Sequence, residues 1–143
     1  MHKRFYASGF LYHLDSDQIL LQQDPSQSPT QWLLFSKIYS EKETPEEVFK
    51  NIITEELGAK LETVAAVYTY DNDKDKVHQE IVYAEVAEVE EFTSKNGIVY
   101  KWFSFKNIAK LPIAEQTKHD LVVSKRVIDA TARKSRGEFT SPH

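Results

Sequence analysis

The stretch of sequence that decides the fold covers residues 37–59 and reads KIYSEKETPEEVFKNIITEELGA. Thr44 can act as an N-cap, and Pro45 suits the first helical position because its nitrogen carries no proton to leave unsatisfied. Gly58 is a good C-terminal stop, since glycine enters the left-handed conformation without strain. These signals predict a helix between Thr44 and Gly58. Its apolar residues recur at helical spacing and form an inward face, made of Val48, Phe49, Ile52, Ile53 and Leu57.

The segments around this helix carry strand patterns and one further helical pattern. Strands are predicted before it at residues 4–14, 18–23 and 31–35, and after it at residues 61–70, 77–86 and 99–105. Residues 106–111 suggest a short helix, and a long helix is predicted from Ala114 to about Arg133, with inward residues Leu121, Val122, Ile128 and Ala132. This order favours an α/β fold in which helices cover the faces of a mixed β-sheet.

The length of 143 residues fits one domain, which we place at residues 1–133. Residues 134–143 lack apolar periodicity and contain Gly137 and Pro142, so they predict a flexible C-terminal tail. The chain has no cysteine, which excludes disulfides and thiolate metal sites. Its N-terminal residues show no long apolar run, and we therefore expect a soluble, cytoplasmic protein without a signal peptide or a membrane association.

The net charge of -4 is unevenly distributed along the chain. Residues 40–91 hold fifteen Asp or Glu against five Lys, and such an acidic middle disfavours nucleic acid as a partner. The last helix carries a basic run, for which a solvated surface is the favoured interpretation and an anionic partner the second. That run consists of Lys118, Lys125, Arg126, Arg133, Lys134 and Arg136.

Residues 37–59 resemble the Nudix box, whose pattern is G-x5-E-x7-R-E-U-x-E-E-x-G-U with U aliphatic. The matching positions are Glu43, Ile53, the pair Glu55 and Glu56, and Gly58. The order of strands before and after the box is also similar to that family, so the resemblance spans roughly residues 4–133. It implies a Nudix-type α/β/α sandwich.

Three positions of the box depart from the family pattern. Lys37 stands where the pattern has its first glycine, Asn51 replaces the arginine, and Ile52 replaces the glutamate beside it. Ile52 cannot ligate a cation, and Asn51 brings no charge to hold neighbouring carboxylates in place. Ile52 would instead extend the apolar face of the helix.

The resemblance implies hydrolysis of a nucleoside-diphosphate derivative at its pyrophosphate bond, with Mg²⁺ or Mn²⁺ as cofactor. Divalent cations neutralise the phosphates and activate a water, and carboxylates are the ligands they prefer. The implied metal-ligand and catalytic roles fall on Glu55 and Glu56, for which an ordinary exposed pair at a helix end is an equal alternative. Glu43 is interpreted as structural. With one ligand and the arginine replaced, we expect the metal-dependent activity to be weakened or lost, and cation binding to be weak or lost.

The catalytic base of this family often lies outside the box, and three carboxylates are candidates for it. These are Glu80 and Glu85, beside a predicted strand, and Glu115 at the start of the last helix. For each of them singly, a solvent-facing surface residue is the favoured alternative. His13 and His119 are isolated, which favours surface or cap roles for both.

Several aromatic residues are expected to serve the core or the sheet faces. Trp32, which lies where the family often has an aromatic before the box, is expected to be buried together with Phe49 and Ile53. One aromatic residue of the later strands could stack on a nucleotide base, and the sequence leaves the choice open among Tyr68, Tyr70, Tyr100 and Trp102.

The sequence supports three hypotheses about function. The first is a Nudix-family hydrolase of a small-molecule nucleotide derivative with weakened or lost activity. The second is a non-catalytic module that binds such a ligand on the same fold. The third is a structural interaction domain that has kept the fold alone, and homodimerisation is open under all three.

Overall fold

The computed structural model describes residues 4–72, 74, 76–93 and 96–135, except for the side chains of residues 132–135. Its strands are β1 (Arg4–His13), β2 (Gln18–Gln23), β3 (Trp32–Leu33), β4 (Phe35–Tyr39), β5 (Ala65–Asn72), β6 (Val77–Glu85) and β7 (Val99–Ser104). Helix α1 (Pro45–Leu57) lies between β4 and β5, and a 3₁₀ helix (Phe105–Lys110) and helix α2 (Glu115–Ser135) follow β7.

The sheet is mixed, as the sequence predicts, and strand β1 is at its centre. It runs parallel to β6, with the pairing extending from Arg4 opposite Val77 to Tyr12 opposite Glu85. Its other edge is shared, because β4 pairs antiparallel with the first half of β1 and β2 with the second half. Strand β5 extends the sheet beyond β6, and β7 pairs antiparallel with β2.

The two faces of the sheet carry separate hydrophobic cores, since successive side chains of a strand point to opposite sides. Ala7 and Leu11 of β1 pack into the core under α1. Phe10 and Tyr12 pack into the core under α2 and the 3₁₀ helix. The prediction of helices on both faces of a mixed sheet is therefore confirmed.

Helix α1 has the ends that its sequence predicts. The Thr44 side chain accepts a hydrogen bond from the backbone N–H of Glu47 at 3.2 Å. At the other end Gly58 adopts a left-handed conformation with φ 70°, and its N–H donates to the carbonyl of Thr54 at 3.0 Å. Phe49 and Ile53 are fully buried, which confirms the predicted inward face.

Gly9 explains how closely α1 can approach β1. A Cβ atom at this position would lie 2.5 Å from the carbonyl oxygen of Val82 and 2.8 Å from a ring carbon of Phe49. No side chain fits at such distances, so the glycine is required by the packing of helix against sheet.

The structure differs from the predicted strands at two places. The predicted strand at residues 31–35 is divided between two strands, since Trp32 and Leu33 form β3 against β2 whereas Phe35 begins β4 against β1. Strand β4 continues to Tyr39, because pairing with β1 makes a strand of the exposed residues Ser36 to Ile38. Strand β5 begins at Ala65 and not at Leu61, and the residues from Gly58 to Val64 form an irregular connection instead.

Two expectations about buried residues are wrong. Val122 of α2 is 50% exposed, although Leu121 and Ile128 are buried as predicted. Only a narrow stripe of side chains on α2 packs against the sheet, and Val122 lies outside this stripe. Trp32 is half-buried, since β3 is a short edge strand; its indole packs at the margin of the α2-side core and on Phe103, at 4.8 Å between ring centroids.

The C-terminal boundary also differs from the expected one, because α2 includes residues 134 and 135. The side chain of Ala132 and the remainder of the expected tail, residues 136–143, lie outside the described residues. None of the helices in the described part of the chain is both long enough and apolar enough to cross a membrane.

Candidate functional site

A cavity of about 820 Å³ opens beyond the C-terminal end of α1, and we call it the α1 cavity. One wall is the connection that follows α1, from Gly58 to Thr63. Another is the segment after β6, and Trp102 of β7 closes the third side. The volume lies in the range of cavities that take small molecules and cofactors.

Trp102 is the principal aromatic residue of the α1 cavity. Its indole N–H donates a hydrogen bond to the backbone carbonyl of Glu90 at 2.7 Å, which joins β7 to the segment after β6. Phe92, Leu61 and Leu11 add further apolar surface to the lining. The cavity thus offers an aromatic ring for stacking and apolar walls beside it.

The polar lining of the α1 cavity is acidic. Four glutamates face one lysine, Lys60, and those glutamates are Glu62, Glu85, Glu88 and Glu90. Such a lining repels phosphate groups unless cations come between them. A phosphate-bearing ligand would therefore need a cation or would keep its phosphates toward the mouth.

Glu55 and Glu56 lie in the last turn of α1, and neither is in the lining of the α1 cavity, which includes the chain from Gly58 onward. Glu55 is exposed, whereas Glu56 is half-buried and its Oε2 atom is shielded from solvent. Burial is the main cause that raises the pKa of Tyr100, and the negative charge of the Glu56 carboxylate raises this pKa further. The Tyr100 hydroxyl therefore lies near Glu56. Glu56 therefore faces β7, the strand that also carries Trp102.

Ile52, one turn before these glutamates, belongs to the core. It is 4% exposed and packs in the cluster with Phe49 and Ile53, as the sequence predicts. Asn51 beside it is exposed. Among the residues that the structure describes, no three His, Asp or Glu side chains are grouped as a metal ion would require.

Lys37 lies on the α1 side of the sheet, since its neighbours in alternation, Phe35 and Tyr39, pack into that core. It pairs with Ala7, and Ala7 in turn pairs with Glu80 of β6. Lys37 and Glu80 are therefore two strand spacings apart, about 10 Å. Lys37 forms no ion pair with any described residue.

Glu80 is near the beginning of α1 and not near its end. Burial raises the pKa of Tyr39 to about 12, and the carboxylates of Glu80 and then of Glu46 add to that shift. Glu80 is thus close to Tyr39 and to the first turn of α1. Glu46 and Glu55 are nine residues apart in the helix, which corresponds to roughly 13 Å along its axis. The structure does not bring Glu80 together with Glu55 and Glu56.

His78 joins Glu80 in a polar cluster at this end of the sheet. Its Nδ1 lies 2.9 Å from Asp71 and its Nε2 lies 3.1 Å from Glu80. Burial is the largest single influence on the pKa of His78 and lowers it, but the hydrogen bonds with both carboxylates raise the pKa by more. The imidazole therefore serves as a bridge between two acids at the start of β6.

Of the three candidates for a base, Glu85 alone lines the α1 cavity. Glu115 is exposed in the first turn of α2, on the opposite face of the sheet. The sequence did not predict that two separate segments form the walls of one cavity. These are the connection after α1 and the segment that begins at Glu85, the last residue of β6. Their only signal was the acidic run that ends with Glu90 and Glu91.

The remaining sequence candidates occupy structural positions. Glu43 accepts hydrogen bonds from the backbone N–H and the hydroxyl of Ser40, at 3.1 and 3.3 Å, and so closes the turn before α1. His13 contacts Ser16 at 2.6 Å and the carbonyl of Ala87 at 3.1 Å. His119 is exposed on α2.

The other aromatic candidates are engaged with neighbouring rings. Tyr68 and Tyr70 stack on each other at 5.7 Å on the α2 side of the sheet. Tyr100 stacks on Phe35 at 6.0 Å on the α1 side. Trp102 is the one of the four candidates that lines the α1 cavity.

Comparison with known sequences gives no match, either to a protein-family model or to a curated protein. Comparison with solved structures gives matches along nearly the whole chain. A mutT/nudix family protein from Listeria innocua superposes with a TM-score of 0.74 at 15% identity, covering 92% of this chain and 97% of that one. A NUDIX-family hydrolase from Clostridium perfringens gives a TM-score of 0.65 at 18% identity, covering 91% and 99%.

A third similar structure carries a ligand. The NUDIX domain of Shewanella oneidensis NrtR, complexed with ADP ribose, matches with a TM-score of 0.70 at 15% identity, over 88% of each chain. Sequence identities this low support a shared fold and do not support a shared activity. The chain has the Nudix fold, an α/β/α sandwich around a mixed sheet, as the resemblance in residues 37–59 implied.

Proposed function

We propose that this Nudix-fold protein binds a nucleoside-diphosphate derivative in the α1 cavity, and that its hydrolysis of the pyrophosphate bond is weak or lost. Two observations carry this proposal: the burial of Ile52, at 4% exposure, and a cavity with an aromatic wall beyond the end of the same helix. The loss of a metal-coordinating carboxylate weakens the catalytic step. Binding of the nucleotide derivative depends instead on the cavity. The structure in complex with ADP ribose supports the ligand class.

Each of three residues of the α1 cavity has its own role in this proposal. Trp102 stacks on the base, because every nucleobase presents a π-face to an aromatic ring. Lys60, the single cation of the lining, contacts a phosphate oxygen. Glu85, the one base candidate that lines the cavity, accepts a proton from a water within it.

The described carboxylates do not make a complete metal site, so no catalytic step is assigned to a metal ion. Glu55 and Glu56 would be the residues that contact a divalent cation arriving with the phosphates. Such a cation supplies charge neutralisation and would offset the acidic lining. Its binding is expected to be weak without a third carboxylate from the helix.

The burial of Ile52 favours the second candidate function, a module that binds its ligand without turning it over. Both candidates predict ligand binding, and they differ only in product formation. The experiment is therefore a panel of nucleoside-diphosphate derivatives, with ADP-ribose included, followed by thermal shift and by phosphate-product release with and without Mn²⁺.

We expect at least one compound of the panel to raise the melting temperature, since a ligand that binds only the folded state at about 100 times its Kd stabilises it by about 2.7 kcal/mol. The shift should disappear in Trp102→Ala and persist in Trp32→Ala, a matched change of a half-buried tryptophan outside the cavity. Product release should stay near background. If no compound shifts the melting temperature, the binding proposal is wrong and the structural hypothesis stands.

A further inference from the structure

A second cavity lies on the other face of the sheet, and we call it the α2 cavity. It has a volume of about 380 Å³ between the β1–β2 turn, the 3₁₀ helix and α2. It shares no lining residue with the α1 cavity. Its surface is mostly apolar, with charged side chains at the edge, and its size falls in the range of small-molecule sites.

The apolar surface of the α2 cavity is formed by the 3₁₀ helix and α2. Ile108 and Leu121 are buried beneath it, and the ring of Phe105 forms one side. Val122 is 50% exposed and lies in the same lining. An exposed valine next to buried apolar residues leaves a concave apolar surface in contact with water, and covering it would be favourable.

Lys125 lines the α2 cavity, and its ammonium group is paired with two carboxylates. Its Nζ donates to Asp17 at 2.8 Å and to Asp129 at 2.9 Å, and it lies 5.4 Å from the centre of the Phe105 ring. The Tyr12 hydroxyl also donates to Asp17, at 3.1 Å. These contacts fix the β1–β2 turn to α2 and neutralise the lysine.

Lys106 and Arg126 are the two remaining cations of the lining. Both are exposed, and neither takes part in an ion pair within the described residues. Their positive charge is opposite in sign to the net charge of the chain, which is -4. The α1 cavity, by comparison, is lined by four glutamates against one lysine.

We propose that the α2 cavity binds a small anionic amphiphile, meaning a single carboxylate attached to an apolar chain or ring. The apolar part covers Val122 and Ile108, and the carboxylate lies between Lys106 and Arg126. Charge complementarity selects an anion, and the largely apolar lining selects a ligand that is not anionic throughout. The site is separate from the α1 cavity and does not depend on the proposed nucleotide ligand.

The test uses octanoate as the probe and octanol as its neutral match. Each is titrated against the full chain carrying anilinonaphthalene sulfonate, a fluorescent aromatic anion. We expect octanoate to displace the dye saturably and octanol to do so about tenfold less well, because a hydrogen bond to a charged group is worth about 1.5–3 kcal/mol. Octanol displacing the dye as well as octanoate would overturn the proposal.

Variants locate the binding. The double variant Lys106→Glu, Arg126→Glu should weaken octanoate binding by about tenfold or more, and Lys106→Glu alone should weaken it as well. Lys110→Glu makes the same charge change as Lys106→Glu on the same 3₁₀ helix but outside the cavity, and it should leave octanoate binding unchanged. Val122→Asp should weaken it as well. All four positions are exposed, so these variants keep the fold, which melting curves verify.

The remaining outcomes each contradict the proposal. Absence of saturable displacement means that the cavity takes no such ligand. Equal binding by the double variant and by Lys110→Glu means that Lys106 and Arg126 do not contact the anion. Loss of octanoate binding in Trp102→Ala would place the probe in the α1 cavity instead.

Discussion

The indole N–H of Trp102 donates a hydrogen bond to the backbone carbonyl of Glu90 across 2.7 Å. The bond connects β7 to the acidic segment that follows β6, and both line the α1 cavity. One edge of the ring is thereby fixed in position. A ring that is fixed before the ligand arrives loses little conformational freedom on stacking, which favours binding.

Trp102→Phe removes the N–H donor while keeping an aromatic ring. We expect it to lower the free energy of unfolding by about 1 kcal/mol, the net value of one hydrogen bond. It should also reduce the thermal shift produced by the nucleotide ligand. Urea unfolding and thermal shift measure the two effects.

Trp32→Phe is the matched control, because it makes the same chemical change in a tryptophan that packs on Phe103 outside the α1 cavity. It should leave the ligand-induced shift unchanged. Equal losses of shift in both variants would mean that Trp102 has no special role in the cavity.

Gly9→Ala should destabilise the protein more than Gly58→Ala. At Gly9 the new Cβ would meet the Val82 carbonyl oxygen at 2.5 Å, and this backbone atom cannot move aside. We expect a cost of about 3 kcal/mol or more, at the upper end for overpacking. At Gly58 the surroundings are open, and only the positive φ costs about 1–2 kcal/mol. Urea unfolding of both variants gives the order, and the reverse order would contradict the packing described for α1.

Phe49→Ala should cost roughly 3–5 kcal/mol of stability, since the ring is fully buried between α1 and the sheet. Chemical unfolding gives the value. A cost below about 1 kcal/mol would mean that the helix presents another face to the sheet. The alignment of residues 37–59 with the box would then need revision.

Asp120 predicts a pH dependence of stability. It is 4% exposed and accepts hydrogen bonds from Tyr68 and Gln116; burial raises its pKa above the ordinary 3.8, although those bonds lower it in part. A raised folded-state pKa contributes stability that is complete below the unfolded pKa and is lost as the pH rises through the folded pKa. The free energy of unfolding of wild type minus that of Asp120→Asn should therefore fall as the pH rises from about 4 through the raised folded-state pKa.

Asp24→Asn is the control for the sign. The pKa of Asp24 is lowered by hydrogen bonds from Ser26, so its contribution is present above the unfolded pKa and is lost on acidification. The difference between wild type and this variant should rise with pH. Urea unfolding at several pH values follows both variants, and a flat or rising difference for Asp120→Asn would contradict the account of its burial.

The sequence predicted α1 to the residue because its signals are local. Thr44, Pro45 and Gly58 act through their own backbone geometry, and no distant contact is needed to interpret them. The sequence predicted one strand at residues 31–35 and missed most of β4, because Ser36 to Ile38 are exposed and give no alternating pattern. Only the pairing with β1 makes them a strand, and that information is not local.

The site was predictable only where residues of one helix form it. The burial of Ile52 followed from the spacing of apolar residues in α1, and so did the position of Glu55 and Glu56. The α1 cavity unites Gly58, Glu85 and Trp102 from three separate segments, and its shape depends on the sheet order. The position of Val122 likewise depends on how α2 is rotated about its axis.

The central claim is that Ile52 has replaced a carboxylate that cation binding needs. Calorimetric titration of Mn²⁺ tests it in wild type, in Asn51→Arg, Ile52→Glu, and in the control Asn51→Arg, Ile52→Gln, which adds a side chain of the same size without a charge. We expect the glutamate variant to bind Mn²⁺ about 10–100-fold more tightly than wild type, with some loss of stability from a polar group in the core. The glutamine control should bind as weakly as wild type. Wild-type affinity equal to that of the glutamate variant would contradict the claim.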